Sequence, residues 1–203
     1  MSAFSSKDPT ARVMAIGRIL LTLALIPIGR TWFATWDESA GVGLIRGINL
    51  AIHEFGHFLF QPFGFAFFGE TGVILGGSLL QVAFPLIFTG YFLFSRTHRD
   101  LHAASVCFLW AAVNVAEVAI YANDARAREL MLISGGTGQE VDGHDFYNLF
   151  SMWGVLDRDT VYAARLRGLA GFMIFASTLV GVFAALFPRA QSRAQTEPAL
   201  ETA

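Results

Sequence analysis

The chain has 203 residues, is 54% hydrophobic and only 15% charged, and carries a formal net charge of −2. Soluble domains average about 25% charged residues, so a deficit of this size makes lipid part of the solvent. The near-neutral charge argues against a nucleic-acid partner, which needs a basic footprint. The single cysteine, Cys107, leaves no disulfide framework and no cysteine-built zinc site.

In chain order, a polar start from Met1 to Ala11 ends in Asp8-Pro9, an N-cap followed by proline at the first helical position. The first span runs from about Val13 to Ile28, with Arg18 near one end and Arg30 closing the other. It reads as a retained helix and not a signal peptide, since no small-x-small cleavage site directly follows it. The second span covers about Gly43 to Phe60 and is followed by a Pro- and Gly-broken stretch, Gln61 to Gly72. The third, about Val73 to Phe94, carries Gly76-Gly77 and Pro85, which predict a kink or a partly re-entrant start. The fourth runs from about His102 to Ala122 and the fifth from about Leu169 to Phe187. Each approaches the roughly 20 apolar residues needed to cross the hydrocarbon. Between the last two lies the longest polar region, Asn123 to Arg167.

The expected architecture is therefore an all-α integral membrane protein of about five transmembrane helices. One polytopic domain spans residues 1–188, and a disordered tail rich in Ala, Gln, Thr and Glu spans 189–203. With the N-terminus cytoplasmic, the inner side holds Lys7, Arg12, Arg126, Arg128, Arg158, Arg165 and Arg167. The outer side then holds Arg30, Arg96, Arg99, Arg189 and Arg193, a modest bias toward N-in.

The second span contains "LAIHEFGHFLF", which sets two histidines and a glutamate in an apolar run. Ionisable groups at bilayer depth need a partner or a function. Residues i and i+4 share a helix face, so His53 and His57 can hold one metal ion between their imidazoles. Glu54 is placed to take a proton from a metal-activated water and deliver it to a leaving amine. This is the H-E-x-x-H pattern of zinc metallopeptidases. The competing structural reading has both histidines bonded to neighbouring helices and Glu54 paired with an arginine such as Arg46.

An H-E-F-G-H sequence on a hydrophobic helix, in a small multi-span chain, resembles the site-2 protease-like membrane zinc metallopeptidases. Gly56 before the second histidine is similar to the H-E-x-G-H form of that family, and "GGSLLQVAFPL" resembles its next core helix. The likeness covers roughly Gly43 to Phe94. It implies Zn2+ as cofactor, His53 and His57 as ligands and Glu54 as the catalytic acid–base. It also implies a bacterial plasma membrane as the setting and a membrane-protein or peptide substrate. The better-known members supply a third ligand from an Asn-Pro…Asp-Gly motif on a later transmembrane helix, and this chain has no such motif.

Catalytic zinc normally takes three protein ligands and keeps a fourth position for water, so the third ligand must come from elsewhere. His144, in "DGHDFYNLF", ranks first, with Asp145 or Asp124 orienting it. Asp145, Asp124 and Glu117 remain alternatives, Glu117 by analogy with the glutamate ligand of thermolysin-like enzymes. His102, beside the basic Arg96–Arg99 loop, reads as interfacial. The segment "DFYNLFSMWGVL" reads either as an aromatic belt at the membrane surface or as a lid beside the metal. The functional expectation is zinc-dependent peptide-bond hydrolysis within or near the bilayer. A membrane lipid amidase and a non-catalytic zinc-binding scaffold are the rivals. The sequence does not set the oligomeric state.

Overall fold

Where backbone polar groups have no water to bond, helices satisfy them internally, and helices dominate this chain. The computed structural model describes residues 9–36, 43–63 and 69–187. They form α1 (Pro9–Ala34), α2 (Gly43–Phe63), α3 (Gly69–Phe94), α4 (Leu101–Asn123), the short α5 (Asp145–Met152) and α6 (Asp159–Leu186), with a 3-10 turn at Leu156–Arg158 before α6. Among the described residues there is no strand beyond an isolated antiparallel bridge between Met131 and Thr137. Asp8 and the 189–203 tail lie outside the described residues.

α4 is the centre of the bundle. It packs on α6, α3 and α1, while α2 packs on α3. Buried Ala111, Ala112, Ala116, Ala119 and Ala122 let its neighbours approach closely, as small residues do between membrane helices. On the outside, large apolar side chains such as Phe58, Ile87, Phe94, Phe172 and Phe175 stand exposed. Apolar exposure on this scale belongs against lipid or a partner, not water. α1, α3, α4 and the run Leu156–Leu186 are each long and apolar enough to cross a membrane. α2 is not among these four, because Arg46, Asn49, His53, Glu54 and His57 interrupt its apolar character.

All five expected spans are helices, with three differences. α3 starts earlier than expected, at Gly69, and runs as one helix through Pro85. α6 starts ten residues before the expected Leu169, because its charged first turns are held. Buried Asp159 accepts from Arg126 Nε (2.9 Å) and Nη2 (2.8 Å), and Arg167 lies over Trp36 while donating to Thr35 O at 2.9 Å. His102, read as interfacial, is enclosed by protein. It is buried between α1 and α4, with Nε2 3.0 Å from both Thr22 Oγ1 and Arg18 O. The Asp100 side chain caps α4 by accepting from the His102 and Ala103 amides and also pairs with Arg18 at 2.6 Å.

Glycine sets the crossing of α2 and α3. A Cβ added at Gly56 would stand 2.8 Å from Gly77 Cα and would run into the Gly76 carbonyl, all of it backbone. Gly90, on the same α3, has open space where its Cβ would be. Gly56→Ala should therefore cost about 1–3 kcal/mol through overpacking, read as a lower melting temperature in detergent. Gly90→Ala should leave stability unchanged or raise it by about 0.4–1 kcal/mol.

Candidate metal centre

His53 and His57 project from one face of α2, with ring centroids 4.8 Å apart. Their Nε2 atoms approach to 3.1 Å. Asp145 Oδ2, from the first turn of α5, closes the group at 2.9 Å from His53 Nε2 and 3.2 Å from His57 Nε2. These three residues form a His/Asp cluster able to hold a metal ion.

The outer nitrogens of the imidazoles fix what the inner ones present. His57 Nδ1 faces the Val73 carbonyl at 2.9 Å, which can only accept, so Nδ1 carries a proton and donates. His53 Nδ1 donates to Gln81 Oε1 at 3.1 Å. The orientation of that amide is fixed in turn, because Gln81 Nε2 donates to Glu117 Oε2 at 2.9 Å. In the neutral imidazoles both Nε2 atoms therefore present lone pairs to each other and to a carboxylate oxygen. Three acceptors converge with no donor of their own among them, an arrangement that calls for a cation.

The spacing suits zinc. Ligand atoms about 2.0–2.1 Å from the ion at tetrahedral angles stand roughly 3.3 Å apart, close to the three separations found. Room for the inner atoms comes from Gly77 on α3, where a Cβ would sit 2.5 Å from His57 Nε2 and 2.7 Å from His53 Nε2.

Asp145, one of the alternatives for the third position, stands with the histidine pair, and the first-ranked His144 does not. Both His144 nitrogens are already engaged. Nε2 donates to Asp124 Oδ2 at 3.1 Å, and Nδ1 accepts from the Tyr147 amide at 3.2 Å as the N-cap of α5. Burial lowers the His144 pKa, Asp124 working partly against it, which keeps this ring neutral in its capping role. Asp124 also accepts from the Glu129 and Leu130 amides, both at 3.0 Å. Glu117 lies behind the site and accepts from Trp32 Nε1 (2.9 Å), Asn49 Nδ2 (2.7 Å) and Gln81 Nε2. The Asp145 amide donates to Tyr121 Oη at 3.0 Å, which holds the start of α5 against α4.

α5 packs one face into the bundle. Phe146, Leu149 and Phe150 are buried in a cluster with Val118, Ala122 and Ala163, while Trp153 is exposed. Beside the cluster opens a cavity of about 710 Å³. Glu54, Arg46 and Tyr121 line it together with His53, His57 and Asp145, and the run Leu130–Ile133 forms one wall. The sequence alone gave no role at the site to Gln81, Asn49 or Tyr121, and read Gly77 only as part of a kink. The available signal was a glutamine and an asparagine inside otherwise apolar helices, where an amide needs a partner.

Compared with models of known protein families, with curated proteins and with solved structures, the chain gives no match.

If the cluster binds zinc, His53→Ala, His57→Ala and Asp145→Ala should each empty the site, as measured by elemental analysis of protein purified in detergent. Gly77→Ala should also lower zinc content, since its methyl group would occupy the coordination space. His144→Ala should have a milder effect, about 10- to 100-fold in affinity, because it orients the carboxylate without touching the ion.

Proposed function

We propose that this protein is a zinc-dependent, membrane-embedded endopeptidase acting on membrane or membrane-proximal segments of protein substrates. The observation that carries the reading is the convergence of His53 Nε2, His57 Nε2 and Asp145 Oδ2 on the wall of a large cavity that Glu54 also lines. A zinc ion held there supplies Lewis acidity, lowering the pKa of a water to about 7 and polarising a scissile carbonyl.

The chain's own residues do the rest. Glu54 accepts the proton that water loses as its oxygen bonds to the carbonyl carbon, and returns a proton to the amine nitrogen as the C–N bond breaks. Leu50, Val73, Ile74 and Val118 line the same cavity with apolar surface, which favours apolar substrate side chains and restricts bulk water. Met131 and Ile133 are exposed, and Met131 pairs in an antiparallel bridge with Thr137. This partly extended wall favours a peptide over a lipid, since an unwound substrate segment can lie alongside it. α2 packs on α3, one of the four helices apolar enough to cross a membrane, which supports hydrolysis at membrane depth.

Glu54→Gln should keep bound zinc and lose hydrolysis of a pool of synthetic apolar transmembrane-type peptides presented in micelles. The amide preserves shape but no longer accepts the proton. Equal cleavage by wild type and variant would sink the mechanism. Release of acyl chains from lipid amides, with the peptides untouched, would instead move the site to a lipid hydrolase.

A further inference from the structure

The buried glutamate that the metal cluster does not use has a geometry of its own. Glu117 receives three N–H donors from three different helices: Trp32 of α1, Asn49 of α2 and Gln81 of α3. Asn49 is fixed from its other end, where Oδ1 accepts from Trp110 Nε1 at 2.8 Å. A carboxylate only accepts, so the Gln81 amide must turn its NH2 toward Glu117 and its oxygen toward His53 Nδ1.

We propose that Glu117 is a positioning residue that sets, through Gln81, the tautomer of His53 and so keeps the His53 Nε2 lone pair aimed at the metal position. This rests on the metal reading of the cluster. The chain of hydrogen bonds runs Glu117 Oε2 to Gln81 Nε2 at 2.9 Å, then Gln81 Oε1 to His53 Nδ1 at 3.1 Å. Each link has one permitted direction, because the acceptor-only group stands at its end.

Reversal of the relay would close the site. A carboxamide at position 117 must turn N–H groups toward at least one of its three donors. When it turns them to Gln81, that amide flips, its NH2 faces His53 Nδ1, and the His53 proton moves to Nε2. There it donates to Asp145 Oδ2, giving a fully paired cluster that no longer presents three lone pairs. The carboxylate thus keeps the cluster rich in acceptors, as a cation would require.

Three measurements test this. In zinc-free wild-type protein above neutral pH, nitrogen NMR of labelled histidine should show the His53 proton on Nδ1; a proton on Nε2 overturns the proposal. Competition with a chromophoric chelator should show zinc bound about 10- to 100-fold more weakly by Glu117→Gln, and affinity equal to wild type overturns it. In a Gln81→Leu background, which cuts the relay, Glu117→Gln should cause no further loss of affinity. Additive losses would mean that Glu117 acts independently of Gln81, which also overturns the proposal. Failure of the wild type itself to bind zinc would be a different result and would remove the metal reading.

Discussion

Three lone-pair-bearing atoms brought within about hydrogen-bonding distance of one another, inside an apolar bundle, are the constraint to which the rest of this structure answers. Left alone, such a group would separate, because each atom repels the others and water cannot screen them fully. It is held by covalent and packing geometry: one turn of α2 fixes the two imidazoles, and the first turn of α5 fixes the carboxylate. The glycine contact between α2 and α3 follows from this. Gly76 and Gly77 let the α3 backbone come close enough for the Val73 carbonyl and the Gln81 amide to reach the outer nitrogens of both rings. A side chain at Gly77 would fill the space that the inner nitrogens face.

The same logic organises the polar residues elsewhere in the bundle. An ionisable group among apolar helices is tolerated where its bonding capacity is met. Glu117 is met by α1, α2 and α3 together, Asp159 by Arg126, Asp100 by Arg18 and by the α4 amides, and His102 by Thr22 and the Arg18 carbonyl. Apart from the local cap that Asp100 makes on α4, each of these bonds joins residues distant in sequence. They therefore fix the relative register of helices that apolar packing alone would leave free to slide, since one lipid-compatible surface fits another almost as well. Glu117 is the clearest instance, because a single side chain sets the positions of three helices and the orientation of the amide behind His53.

How much of this could be read in the sequence depended on range. The histidine pair was legible because i, i+4 spacing is a local property of a helix, and the five helical segments were legible from length and apolarity. The early start of α6 was hidden because Asp159 and Arg167 read as loop charges until Arg126, Thr35 and Trp36 are seen to receive them. His102 looked interfacial for the same reason: its partners sit 80 or more residues away. The residue that stands with the histidine pair lies one position from the first-ranked one. His144 and Asp145 are neighbours with equally good ligand chemistry, and no local rule says which one turns inward.

That last choice is decided by helix capping. A helix start needs acceptors for its exposed amides, and the residue at the N-cap supplies one while the next residue enters the first turn. In α5 the cap is His144, whose Nδ1 is consumed by the Tyr147 amide and whose Nε2 is consumed by Asp124. Asp145 then occupies the first turn, where the positive end of the helix favours a carboxylate. Its backbone amide is tied to Tyr121 of α4, and Phe146 and Phe150 anchor the following turns in the core. The carboxylate is delivered to α2 by a short, well-buried helix inserted between α4 and α6. A cation bridging Asp145 to His53 and His57 would join α5 to α2 across 92 residues of chain. Binding of the ion and ordering of that insert are then one event, since a ligand that recognises only the assembled arrangement stabilises every contact that assembles it.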